Sequence, residues 1–175
     1  EVAKAEVELL MLLGRFAEAE PVARQILDSA RRIFGRDSLA TLKAQARLAR
    51  VLLAAGSDPA EALALASDAA ARTPSITSQT EDYAVYHAAT AADAARATGD
   101  AAAGVRECER LLTLVAPARS APWVTAYLRT VHARCLLDLN LEDDAAAELD
   151  RAFADAERWG DRTSAIRAGV VRTAL

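Results

Sequence analysis

Four helical junctions recur at a nearly fixed period, and this recurrence narrows the fold more than any other feature of the chain. The stretch Leu12-Leu-Gly-Arg-Phe-Ala-Glu-Ala-Glu-Pro21 joins two helical patterns at Gly14. The junction returns at Gly56, at Gly99 and, with asparagine in the turn, at Asn140, giving spacings of 42, 43 and 41 residues. A second marker keeps the same rhythm: Phe34-Gly-Arg-Asp37 and Trp159-Gly-Asp-Arg162 lie 125 residues apart, close to three such steps. Periods of this size mean stacked helical hairpins, each unable to bury its apolar face alone.

Composition agrees with that reading. The 175 residues are 53% hydrophobic but only 5% aromatic. Abundant alanine with few rings favours closely packed helices over sheets, which draw on β-branched and aromatic residues. A formal charge of −4 argues against broad binding to nucleic acid or to an anionic membrane, since both require a basic footprint. No run of 18 apolar residues or charged-then-apolar leader is present, so no membrane span or secretion signal is expected. Of the 21 basic residues only Lys4 and Lys43 are lysine, and arginine is the better partner for carboxylates. Cys108 and Cys135 form no CxxC or Cys/His cluster. They read as small buried hydrophobes in a reducing cytoplasm. The helical pattern is already under way at the first residue, and Ser164 to Leu175 stops mid-pattern, so the chain is expected to be a piece of a longer protein.

The local signals predict nine helices. The first covers about residues 3–13, with Val7, Leu10, Met11 and Leu13 on one face. The second runs from about Ala17 to Phe34, with Pro21 placed among the early amides that lack helical acceptors. Asp37 or Ser38 caps the third, whose Leu42, Leu48 and Leu52 should face the core. Asp58-Pro-Ala-Glu61 opens the fourth, which fades at Arg72-Thr-Pro74. The capping box Ser78-Gln-Thr-Glu81 opens the fifth, and Asp100 caps a sixth ending near Pro117. Ser120-Ala-Pro122 begins the seventh, which reaches Leu139. The eighth ends at Trp159-Gly160 and a ninth follows Asp161. Every break is short, as antiparallel neighbours require. The expected architecture is a single all-α domain over 1–175, with repeats at about 1–35, 36–77, 78–119 and 120–160 and a partial one at 161–175.

The series Gly14-Arg-Phe-Ala-Glu-Ala-Glu-Pro21, then Ile33-Phe-Gly-Arg-Asp37 and Thr41, then Leu48-Ala-x-Val-Leu-x-x-x-Gly56, resembles the tetratricopeptide repeat. More narrowly, it is similar to the 42-residue variety of kinesin light chains and many bacterial regulators. The resemblance is good over residues 1–56, recognisable to 72 and fair again from 140. It thins over 79–139 to Gly99, small residues and the period. Gly104 stands where the family's second helix usually has alanine, and Asn140 replaces the turn glycine.

The resemblance implies a right-handed superhelix of about four stacked hairpins plus one unpaired C-terminal helix, with first helices lining a concave groove. It also implies which first-helix positions read a ligand: Lys43, Ala46, Arg50 and Leu53, then Tyr86, Ala89, Asp93 and Arg96, then Tyr127, Thr130, Arg134 and Asp138. Their spacing independently puts each set on one helical stripe. From these, Lys43, Arg50, Tyr86, Asp93, Arg96, Tyr127, Thr130 and Arg134 are the candidate partner-binding residues. Tyrosine and arginine are enriched at binding hot spots, and the basic members would favour an acidic peptide or a free carboxylate. The asparagines of the chaperone-type carboxylate clamp are absent. A plainer reading stands beside this one, in which Arg50, Arg96 and Arg134 form a solvated face paired with Asp93, Glu81 or Asp138. Trp123 and Trp159 are expected to cover seams between hairpins.

No phosphate loop, nucleophile motif or metalloprotease helix appears. His87 and His132 do not converge with other ligands. No enzyme activity, metal or cofactor is expected. The expected function is protein–protein interaction within a larger cytoplasmic regulatory or signalling protein, with a partner segment in the concave groove. Two alternatives stay open. One is self-assembly through the last helix, where Ile166, Val170 and Val171 leave an apolar stripe to be covered. The other is a small-molecule sensor that uses the groove as a pocket.

Overall fold

The computed structural model describes residues 2–73, 81–115, 121–158, 160 and 162–172. Among the described residues there are nine α-helices and no strand: α1 (Val2–Leu12), α2 (Phe16–Phe34), α3 (Leu39–Ala55), α4 (Pro59–Arg72), α5 (Glu81–Ala97), α6 (Ala101–Leu114), α7 (Pro122–Asp138), α8 (Glu142–Arg158) and α9 (Arg162–Arg172).

The predicted punctuation explains most boundaries. Ser38 rather than Asp37 caps α3, its Oγ accepting from the Thr41 amide at 3.2 Å. Asp58 Oδ1 accepts from the Glu61 amide at 2.8 Å, and Asp100 Oδ1 from the Ala103 amide at 2.9 Å. Each cap satisfies an amide that the first helical turn leaves without an acceptor. Glu61 does not fold back to complete a capping box. Its carboxylate instead receives two bonds from Arg24 of α2, at 2.8 and 2.7 Å, and so ties the first repeat to the second.

At the other ends, Gly56 takes φ +64° after α3, and the Ser57 amide returns to the Leu52 carbonyl at 3.2 Å. That left-handed residue reverses the chain within two positions. Asn140 does the same between α7 and α8 at φ +59°. It is the only non-glycine with positive φ among the described residues, as its place in the repeat predicts.

Two boundaries differ from the sequence reading. Helix α2 begins at Phe16, so Pro21 is its sixth residue rather than one of the unbonded early amides. The Ala17 carbonyl therefore loses its ladder donor, because proline has no N–H. Helix α6 ends at Leu114, before Pro117. Pro117, the Ser78–Thr80 part of the predicted capping box, Ser120, Trp159 and Asp161 all lie outside the described residues.

Each helix packs on the next in the chain, and α3, α5, α7 and α9 also pack side by side. Helices α3, α5, α7 and α9 thus form a continuous layer with α2, α4, α6 and α8 behind it, an all-α solenoid of stacked hairpins. Small residues hold the layers close. Helix α4 buries Ala62, Ala66 and Ala69, and α8 buries Ala145, Ala152 and Ala156, spacings that put alanine along one stripe of each helix. Leu42, Leu48 and Leu52 of α3 are fully buried in a helix that packs on α2, α4 and α5. Gly104 of α6 marks the closest approach: a Cβ there would lie 2.6 Å from Cys135 Sγ and 3.1 Å from the Ala92 carbonyl oxygen. Even alanine is too large, which explains the glycine where a methyl group is usual.

Candidate concave binding site

The sequence stripe divides in two once the helices stack. Ala46, Leu53 and Ala89 are buried and serve the packing. The longer polar side chains reach the open face of the odd-numbered layer. There they meet side chains from neighbouring repeats.

Asp93 of α5 is the centre of this arrangement. Its carboxylate is only 2% exposed. It accepts from Arg96 Nε at 2.8 Å and from Arg134 Nη1 of α7 at 2.6 Å. Arg96 then reaches Asp138 of α7 through Nη1 at 2.8 Å. Burial disfavours charge on Arg96, but Asp93 and Asp138 more than offset it, so its pKa is raised.

Arg50 of α3, 8% exposed, donates through Nη1 to the Tyr86 hydroxyl at 2.9 Å and lies 3.4 Å from Glu8 Oε1 of α1. Its guanidinium carbon stands 5.7 and 5.4 Å from the ring centres of Tyr86 and Tyr127, within cation–π range. Tyr127 shares a 3.1 Å hydrogen bond with Thr90, and burial pushes its phenol pKa up, so it remains a hydroxyl. Arg50 and Arg96 are therefore largely withdrawn from solvent, while Arg134 stays partly exposed. They link adjacent repeats, and the pairs of Arg96 and Arg134 with Asp138 and Asp93 are those that the sequence suggests.

Six of the eight candidates line one cavity of about 540 Å³: Arg50, Asp93, Arg96, Tyr127, Thr130 and Arg134. Asp138 joins them. Thr130 is nearly buried and its hydroxyl donates to the Ala126 carbonyl at 2.8 Å, so it contributes shape more than a donor. The walls are apolar: Met11, Leu12 and Phe16 from the α1–α2 turn, and Ile166, Val170 and Val171 from α9. The α9 stripe thus faces the cavity, with Ile166 53% and Val170 64% exposed.

The other two candidates, Lys43 and Tyr86, line a larger groove of about 1100 Å³ between α1, α2 and α3, which shares Leu12, Arg50 and Tyr127 with the first. Here Lys43 Nζ sits 3.5 Å from the Tyr83 ring centre. Trp123 packs against Tyr83 and Tyr86 at 5.8 and 5.4 Å between centroids, covering the α5–α7 seam as its position suggests.

Sequence reasoning missed Glu8, Arg47 and Tyr83, although a signal for them exists. Glu8 lies 42 residues before Arg50, just as Arg96 precedes Asp138 by 42 and Asp93 precedes Arg134 by 41. For these three pairs, stepping by one period names the neighbour, whereas Arg50 and Tyr86 are 36 residues apart. Arg47 also faces Glu8, at 3.5 Å.

The site holds no reactive constellation. Cys108 and Cys135 are buried, and the thiol of Cys108 has its pKa pushed up by a hydrogen bond with Cys135 and then by burial. A thiol kept protonated is a poor nucleophile. Among the described residues no group of three or more His, Cys, Asp or Glu side chains is placed to hold a metal ion. No helix among them is long and apolar enough to cross a membrane.

An all-α solenoid of stacked hairpins is the architecture of a helical-repeat protein. Residues 5–75, which span most of α1 through α4, match the family model for the tetratricopeptide repeat. No curated protein matches the chain. Tetratricopeptide repeats generally mediate protein–protein interaction and are typically non-catalytic.

Proposed function

We propose that the chain is an interaction module of a larger cytoplasmic regulatory or signalling protein, of the 42-residue variety seen in bacterial regulators. It binds a segment of a partner polypeptide along the concave groove. Lys43, Arg50, Tyr86, Asp93, Arg96, Tyr127, Thr130 and Arg134 form the floor. The observation that carries this reading is the convergence of six of these residues, from α3, α5 and α7, on one cavity. Their mutual hydrogen bonds fix the side chains before a partner arrives, which lowers the ordering cost of binding. Arginine and tyrosine in a preformed concavity are the residue types that concentrate binding energy. The turn of the α9 stripe toward this cavity supports the groove as the working surface, ahead of self-association through α9.

The test is site-specific photo-crosslinking. A photoreactive residue at Lys43 or Tyr127 should capture the same partner, while one at Arg110 of α6 should not. Capture only from the α6 position would reject the concave reading.

A further inference from the structure

The cavity between the α1–α2 turn and α9 has features that an extended partner segment does not require. Its floor sets Arg50, Arg96 and Arg134 against Asp93 and Asp138, and Glu8, 3.4 Å from Arg50, is shared with Arg47 at 3.5 Å, so the cluster holds four guanidinium groups against three carboxylates inside a chain whose formal charge is −4. Arg50 makes both of its hydrogen bonds through Nη1, and Arg134 bonds Asp93 through its own Nη1. A guanidinium offers five N–H donors in a planar fork. The remaining edges of these two suit paired donation to an anionic group.

Above the floor the character changes. Met11 and Phe16 on one wall face Ile166 and Val170 on the other. Ile166 and Val170 retain 53% and 64% of their surface exposed, and a ligand could cover much of it. Removing that surface from water contributes roughly 25 cal/mol per Å². At about 540 Å³ the cavity is in the size range of small-molecule sites.

We propose that this cavity binds a small amphiphile with a single anionic head. The head lies on Arg50 and Arg134, and the apolar body lies between Met11 and Phe16 on one side and Ile166 and Val170 on the other. The site shares Arg50 and Arg134 with the partner-segment reading and rests on the same cavity, but it needs neither Lys43 nor the Tyr83–Trp123 groove.

Titration calorimetry with decanoate, kept below its micelle threshold, tests the proposal, with decanol and decylamine as neutral and cationic controls. Decanoate should bind at one site at least about tenfold more tightly than either control. Ile166→Glu places a like charge on an already exposed wall position and should leave the helical circular dichroism unchanged. It should weaken decanoate at least about tenfold, as should Arg134→Gln. Absence of decanoate binding, equal affinity for decanol, or wild-type affinity in Ile166→Glu would each overturn the proposal. Crosslinking at Lys43 reports separately on the partner segment, so failure of one reading is distinguishable from failure of the other.

Discussion

His87 is the residue whose chemistry is most altered by its surroundings. It is fully buried on α5, with Nδ1 2.7 Å from Thr73 Oγ1. Thr73 donates its own hydroxyl proton to the Ala69 carbonyl at 2.7 Å, which leaves that oxygen to accept from Nδ1–H and assigns the tautomer. Nε2 is then a bare acceptor, buried without a hydrogen-bond partner. Burial, reinforced by nearby Lys43, lowers the pKa from 6.5 to about 4. A histidine with a lower pKa folded than unfolded takes up its proton on unfolding. Its contribution to stability is therefore intact above about pH 6.5 and is lost as pH falls toward 4. The shift corresponds to about 3 kcal/mol across that window. Urea midpoints at pH 7.5 and 4.5 should differ accordingly in the wild type, and His87→Asn should remove most of the difference. Glu148 has a separate window. Burial raises its pKa, but His132, Arg129 and Arg151 outweigh that and bring it to about 2. Its contribution fades below about pH 4.5, so it meets the histidine window only at that window's acid end. An unchanged pH slope in His87→Asn would mean that the imidazole is not the titrating group.

Between elements, the groove polar groups act as ties from one repeat to the next. Asp93 joins α5 to α7 through Arg134, and Arg96 returns from α5 to Asp138 of α7. Breaking a buried ion pair from one side costs more than never having built it, because the remaining charges keep their desolvation penalty. Asp93→Ala should therefore destabilise the fold by about 3 kcal/mol or more, while Asp93→Ala combined with Arg134→Leu should recover part of the loss. Urea denaturation of the two variants measures this, and equal stability of wild type and Asp93→Ala would sink it. These ties also show what the sequence makes legible. The period places Asp93 beside Arg134 and Arg96 beside Asp138, and it places Asn140 in a left-handed turn. It does not say that Asp93 is buried and Asp138 exposed. That depends on how far α7 rides over α5, which is set by small contacts such as the Gly104 approach to Cys135. The stripe offsets likewise identify Arg50 but not its loss to solvent, since burial there depends on rings from two other helices.

At the scale of the molecule, stability in a stack of hairpins is a sum over neighbours, so it need not be uniform. Helix α3 buries eleven of its seventeen residues, with α2, α4 and α5 against it. Helix α1 buries only Val7 and Leu10 and leaves Val2, Leu9 and Leu12 exposed, and α9 exposes Ile166 and Val170. The order of helices and turns could be read from the period alone, but not this gradient. Nor could the facing of the α1–α2 turn and α9 across one cavity, which depends on how all the helices stack rather than on any local signal. Amide hydrogen exchange should find α3 the slowest element and α1 and α9 faster by at least about a hundredfold. A ligand held between those two walls makes contacts only when both are in place, so its binding energy opposes the opening of either. Saturating decanoate should then slow exchange in α9 and in the Met11–Phe16 turn together, leaving α4 and α6 unchanged. Protection that rises in α9 alone would show a ligand resting on one wall. Protection that rises everywhere equally would show a solenoid that opens as one cooperative unit, with no independently mobile ends for a ligand to join.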